Sequence, residues 1–414
     1  MSDVQSTPAE PQPARPARDK SDRAAQRRSR IVRWVVLALG LVVITTLGIA
    51  HQRGVGVVGV DALCPFGGIE TLWSLITAAT LLQRIAVSSI ILLGIVVATA
   101  LLFRRAFCGY VCPLGAIQEF SAKLGSLIFR GKRPVMPTWV DRPARWLKYV
   151  VLAGFTIWTW QAATLVLRPY DPWVAYMHIT STEVIAEFAV GLVVLGITVI
   201  GSVVYDRFFC KYACPMGAFL AAISWFSVFK VRRSADTCTN CSACDKVCPV
   251  NVTVSMVDVV SDPECINCNE CVNVCPVKDT LVVSAPAAGT ARRGIALSPL
   301  TMMSAVAALI VVALFGTTVS GSFAWTMPTL EKAAQAAEKT GTTINVEDIK
   351  GSMTFAEISK ATGIPERAFI EKFGVTEGDM GTQIKELASA HGFDVHTDVR
   401  EFVKQKLGSG ETAK

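Results

Sequence analysis

The sequence predicts a mainly α-helical membrane protein of about five spans, arranged as a parallel two-fold repeat, with an inserted α+β cysteine module and a small C-terminal helical domain. Three observations predict it: an apolar composition, alternating basic and uncharged loops, and cysteines gathered in short regular groups. Of 414 residues 51% are hydrophobic and 18% charged, less charge than a soluble chain of this length normally carries. The net charge of +7 sits largely beside apolar segments, where Lys and Arg act as orientation signals, so no nucleic-acid partner is expected.

Residues 1–30 are rich in Arg, Ala, Pro, Ser and Gln and lack an apolar face, which reads as a disordered basic cytoplasmic tail. A helix crossing a bilayer needs about 20 apolar residues. Stretches near 32–50, 85–103, 147–167, 185–205 and 295–319 meet that need. The 104–148 loop (Arg104, Arg105, Arg130, Lys132, Arg133, Arg142, Arg145) and the 206–293 segment (Arg207, Lys211, Lys230, Arg232, Arg233, Arg292, Arg293) are basic. The loops at 51–84 and 168–184 are nearly free of Lys and Arg. The positive-inside rule therefore expects a chain that starts in the cytoplasm and ends outside it.

Spans two and four end alike, in Arg-Ala-Phe-Cys108-Gly-Tyr-Val-Cys112-Pro113-Leu-Gly115-Ala116 and Arg-Phe-Phe-Cys210-Lys-Tyr-Ala-Cys214-Pro215-Met-Gly217-Ala218. Their outer loops match weakly, with Cys64-Pro65-Phe66 against Asp171-Pro172-Trp173. Two units of two spans keep one orientation, so the repeats, 31–130 and 131–235, are parallel. Both cysteine pairs are then expected at the cytoplasmic surface. Residues 330–414 carry helix signals after a fifth span at 295–319: Thr354 and Glu357 at capping-box spacing, Gly363 as a stop, and Pro365 opening a second helix toward Gly374. Two short helices joined this way resemble a DNA-binding pair, but the expected outer location favours docking or capping.

Residues 236–283 hold the strongest chemical signal. Cys238, Cys241, Cys244 and Cys248-Pro249, then Cys265, Cys268, Cys271 and Cys275-Pro276, each read C-x2-C-x2-C-x3-C-P. Three close thiolates wrap three iron corners of a cubane, and the fourth ligand comes from the other run. Cys238, Cys241, Cys244 and Cys275 are thus expected to hold one [4Fe–4S] cluster, and Cys265, Cys268, Cys271 and Cys248 a second. Zinc sites more often use two C-x2-C pairs. Cys108, Cys112, Cys210 and Cys214 are candidates for a third Fe–S or copper site, for thiol redox chemistry, or for turn packing. Cys64 lies alone on the outer side, as a turn residue or the lining of a quinol or partner site. His51 and His178, at the outer edge, are poorly placed for bis-His haem. Glu70, Asp171, Glu183 and Glu187 read as solvated loop carboxylates that could also accept quinol protons.

With the paired C-x3-C-P motifs, Cys64-Pro65-Phe66-Gly67-Gly68 and the dicluster module on the page, residues 31–283 resemble the NapH/NosR-type polyferredoxins of anaerobic respiration. The resemblance implies electron transfer between the quinol pool and a periplasmic reductase or its maturation machinery. There is no N-terminal flavin-binding domain of the NosR kind, and here a fifth span and an outer helical domain follow the module. The expected role is therefore an electron-transfer subunit of the cell membrane rather than a stand-alone enzyme. Its partners would be quinone or quinol and redox proteins, one of them extracytoplasmic. The alternative is an assembly factor that reduces a metal such as copper for another enzyme. Spans almost free of buried charge rank ion pumping last.

Overall fold

A computed structural model of the chain describes residues 18–52, 64–78, 86–131, 134, 136–162, 167–180, 184–287, 290–323, 325, 349 and 353–408. The chain divides into two compact units, Met1–Trp325 and Thr326–Lys414.

In the first unit α1 runs from Lys20 to Gln52. It begins inside the stretch expected as a disordered tail, of which residues 1–17 lie outside the described set. The reason is docking: Arg18 and Gln26 donate to the Cys275 carbonyl at 3.0 and 3.3 Å, Arg30 pairs with Glu270 at 3.2 Å, and Lys278 pairs with Asp22. Asp19 caps the start, its carboxylate accepting from the Asp22 amide.

The first repeat then supplies α2 (Pro65–Ala78), α3 (Ala86–Phe103), α4 (Ala106–Tyr110) and α5 (Pro113–Ile128). After α6 (Thr138–Ala144), the second supplies α7 (Leu147–Ala162), α8 (Pro172–Met177), α9 (Val184–Val204), α10 (Phe208–Tyr212) and α11 (Pro215–Ile223). Proline opens α2, α5, α8 and α11, each time just after a Cys or Asp, because its fixed φ suits the first helical turn and the N–H it lacks would have no intrahelical partner there.

Strand β1 (Lys230–Arg233) begins the cysteine module upstream of the expected boundary at 236. Short helices α12 (Ala243–Lys246) and α13 (Glu270–Val274) lie within its two cysteine runs, and β2 (Leu281–Ala287) and β3 (Thr290–Leu297) complete an antiparallel sheet in the order β1-β2-β3. Lys230 faces Ser284 and Arg233 faces Leu281, closing the module's two ends on each other. The unit ends in α14 (Pro299–Val319), capped by Ser298.

Among the described residues two helices, α1 and α14, are long and apolar enough to cross a membrane, and shorter apolar stretches occupy Val87–Phe103, Phe188–Val204 and Pro215–Phe226. In α9 a non-helical Phe188 separates the first turn from the straight apolar part.

The second unit packs α15 (Phe355–Thr362), α16 (Glu366–Phe373), α17 (Ile384–His391) and α18 (Arg400–Gly408) around Phe355, Phe369, Phe373 and Phe402. Thr354 and Glu357 form the reciprocal capping box, and Gly363 and Gly374 end their helices with left-handed φ of 71° and 66°. An antiparallel bridge between Thr354 and Gln383 sets the starts of α15 and α17 side by side.

Candidate metal centres

Each cysteine run of the module winds the same way. Asn240 and Ser242 flank Cys241 with φ of 51° and 53°, and Asn267 and Asn269 flank Cys268 with φ of 51° and 63°. Left-handed backbone costs an ordinary residue roughly 1–2 kcal/mol and Asn less, so the repeated choice marks a loop wound around something. Cys248, Cys265, Cys268 and Cys271 line one cavity, walled by Val231, Val250, Val252, Val254, Val260 and Ile266. Cys248 is an electrostatic neighbour of Cys265, and Cys271 of Cys268, Cys265, Cys248 and Cys244. Cys275, from the second run, has Cys241 and Cys238 of the first as neighbours.

Burial pushes the Cys268 thiol up to about 12 and the Cys244 and Cys248 thiols up to about 11. Thiolates in such surroundings need a metal to hold them deprotonated, so the donor set fits iron–sulfur clusters, which supply one-electron chemistry. Cys241 differs. It is exposed, and the Ala243 backbone N–H lowers its pKa. One end of the module therefore meets solvent while Cys268 is buried.

The buried end is fastened to the helical unit. Arg104 donates to the Asp262 carbonyl, and the Asn267 amide donates to the Phe103 and Phe229 carbonyls at 3.1 and 3.4 Å. Tyr110 donates to the Asn267 carbonyl at 3.2 Å, and the Asn269 amide donates to the Tyr110 hydroxyl at 2.9 Å. Glu264, next to Cys265, is held by Arg105 at 3.1 Å and by Lys148. Burial alone would raise the Glu264 pKa, but these two cations hold it below the usual carboxylate value.

Against this face lie the four remaining paired cysteines. Cys108 neighbours Cys210, Cys112 neighbours both, and Cys214 neighbours all three. Two repeats thus deliver two thiols each to one place. Leu114 packs with Leu195 and Phe209, and a Cβ on Gly125 would fall 1.9 Å from the Val203 carbonyl. Helix α5 therefore runs beside α9 in the same direction, and Cys112 stands level with the middle of α9. The second repeat does the same beside α3, with the Val228 amide donating to the Leu101 carbonyl at 2.9 Å. In each repeat a left-handed Arg, Arg104 or Arg207, precedes the short helix that turns the chain back inward.

The arginines cross between repeats. Arg105 donates to the Cys210 carbonyl at 3.4 Å, and Arg207 donates to the Cys108 carbonyl at 2.7 Å. A Cβ on Gly217 would lie 2.7 Å from the Arg105 guanidinium, and one on Gly115 2.4 Å from that of Arg207. The glycine of each C-P-x-G thus makes room for the other repeat's arginine. Among the described residues no three His, Cys, Asp or Glu side chains come close enough to hold a single metal ion, so the copper alternative finds no support. A cubane spreads its four thiolates over four irons and does not require such closeness.

Cys64 donates to Asp171 at 3.7 Å, joining the two residues that the loop repeat made equivalent. Asp171 is not a solvated carboxylate. It caps α8 through the Trp173 amide, and burial pushes its pKa up to about 6. The Glu183 backbone and the Glu70 and Glu187 side chains lie outside the described residues. The His51 and His178 rings pack on each other, centroids 5.8 Å apart, which leaves no room for a porphyrin between them.

The fold and the sites define an iron–sulfur membrane protein. Residues 85–135 and 188–234 each match a 4Fe-4S binding domain, and residues 230–276 match a 4Fe-4S dicluster domain. The chain is 28% identical over 244 residues to YccM of Escherichia coli, whose name assigns it provisionally to electron transport; the match covers 58% of this chain and 68% of YccM. It is 30% identical over 197 residues to an uncharacterised protein of Methanocaldococcus jannaschii, covering 47% and 75%. It is 28% identical over 188 residues to the ferredoxin-type protein NapH of Haemophilus influenzae, covering 42% and 59%. No solved structure matches. The chain belongs to the NapH-type family of ferredoxin-type membrane proteins, and it carries electrons on iron–sulfur clusters.

Proposed function

We propose that this protein relays electrons between the quinol pool or a cytoplasmic donor and a redox partner outside the cytoplasm. Cys238, Cys241, Cys244 and Cys275 hold an outer, solvent-facing cluster, and Cys265, Cys268, Cys271 and Cys248 hold the inner one. Cys108, Cys112, Cys210 and Cys214 hold a third [4Fe–4S] cluster. Five spans in a parallel two-fold repeat carry these centres, with the second unit extracytoplasmic. The observation that carries the reading is the stacking of the Cys248/Cys265/Cys268/Cys271 cavity on the four-thiol group through Glu264, Arg105 and Tyr110.

The test is iron and sulfide per chain, with spectra taken during reaction with a quinol analogue. About twelve irons, and cluster reduction by the quinol or reoxidation by the quinone, are expected. About eight irons would remove the third centre. Three centres inert to quinol and quinone alike would leave the clusters standing and remove the quinone link.

A further inference from the structure

The four-thiol group is flanked by buried charges that no metal ligand explains. Arg105 and Arg207 are almost wholly buried, at 1% exposure each. Each donates to the backbone carbonyl of the first cysteine in the opposite repeat. Each also meets one buried carboxylate, and each carboxylate meets a second cation. Arg105 pairs with Glu264, which also binds Lys148. Arg207 pairs with Glu119, which also binds Arg33. The carboxylates come from unrelated places, one from the module loop and one from α5, yet each joins an arginine of the cysteine motif to a second cation, Lys148 in one case and Arg33 in the other. Arg33 pairs with Glu270 as well, so the cations beside the thiols themselves are Arg105 and Arg207, each shared with one carboxylate. An oxidised cubane with four thiolates is a dianion. In a low-dielectric interior such a charge costs several kcal/mol unless it is matched.

We propose that Arg105 and Arg207 are the resident counter-cations of the four-cysteine centre, and that they raise its reduction potential. This rests on the third cluster proposed above. One-electron reduction makes the centre more negative, so nearby fixed cations favour the reduced form, and net charge is one of the levers that set cluster potentials. The carboxylates temper the effect and fix the guanidiniums in place. Glycine at 115 and 217 follows from the same design, since any side chain there would displace the opposite guanidinium. Arg105 also touches Glu264, the neighbour of Cys265, so it stands between the inner module cluster and the four-cysteine centre.

The experiment is a potentiometric titration of the purified full-length protein, followed by EPR and alongside iron counts. Arg207→Gln and Arg105→Gln should each lower the midpoint of the third signal, changing its oxidised-to-reduced ratio at fixed potential about tenfold, or about 59 mV for one electron. Arg207→Lys keeps the charge and should hold the midpoint near wild type. Glu119→Gln removes an anion and should move the midpoint upward. The opposite sign is what a merely structural role would not produce. If Arg207→Gln loses iron, the direction of the Glu119→Gln shift decides. A third signal whose midpoint ignores both substitutions, or falls in both, overturns the proposal. An iron count of about eight in the wild type, with no third signal, instead shows that the centre itself is absent.

Discussion

At the scale of single residues, the two C-x3-C-P motifs differ where their surroundings differ. Cys108 is followed by Gly109 and Cys210 by Lys211. A Cβ on Gly109 would lie 2.8 Å from the Ile266 carbonyl, so the first repeat needs glycine to receive the module's inner loop. Lys211 is buried instead, with Asp141, Arg145, Asp206 and Cys248 as its electrostatic neighbours. The repeat was legible in the sequence, but this reason for its break was not, because Ile266 is far along the chain. Gly109→Ala should destabilise the protein by about 1–3 kcal/mol, the usual cost of overpacking. Gly154→Ala, whose Cβ would meet nothing within 4 Å, should leave the thermal midpoint in detergent unchanged or slightly higher. Equal midpoints for the two variants would show that the inner loop has slack. The thiols also differ in exposure. Cys241 is open to solvent and Cys268 is buried, so an oxidant with a chelator should strip about four irons quickly and the rest slowly. Loss of all irons in one phase would contradict the assigned order of depth.

At the scale of elements, local signals were readable and long-range ones were not. The capping box of α15, its glycine stop and the proline before α16 are written within a dozen residues, and each forms as spelled. The start of α1 was hidden. Its charged first turns have no apolar face and look disordered until their partners at 270–278 are known. Only Asp19, a good cap, hinted at a helix there. The first turns of α1 should therefore hold to the module chiefly through hydrogen bonds. Replacing Arg18 and Gln26 together by Ala removes both side-chain donors to the Cys275 carbonyl. At about 0.5–1.5 kcal/mol for each bond, and more for the charged donor, local opening should become about tenfold more frequent for every 1.4 kcal/mol lost. Hydrogen exchange of the amides from 20 to 30 would register it. Unchanged exchange would mean that the ion pairs of Asp22, Arg30 and Arg33 suffice to hold the helix.

At the scale of the whole molecule, the cysteine spacing pointed to the iron chemistry and the repeat pointed to two equivalent halves. Neither told that α4 and α10 fold back to bring four thiols beside the middles of α3 and α9. The fold-back leaves no mark in hydropathy, because a five-residue helix carrying the first cysteine of its pair reads as a turn. Loop charge, by contrast, is a direct signal for sidedness. Arg104, Arg105 and Arg142 lie before the third expected span, and Lys230, Arg232 and Arg233 lie after the fourth. The proposed topology makes α14 the last crossing and puts Lys414 outside the cytoplasm. A fluorescent protein that matures only in the cytoplasm, fused after Lys414, should be dark, and alkaline phosphatase fused there should be active. The same fusions placed after Leu297, ahead of α14, should give the reverse. Fluorescence at both positions would mean that α14 does not cross. The electron path would then end on the side where it begins, and a redox partner outside the cytoplasm would have nothing to dock against.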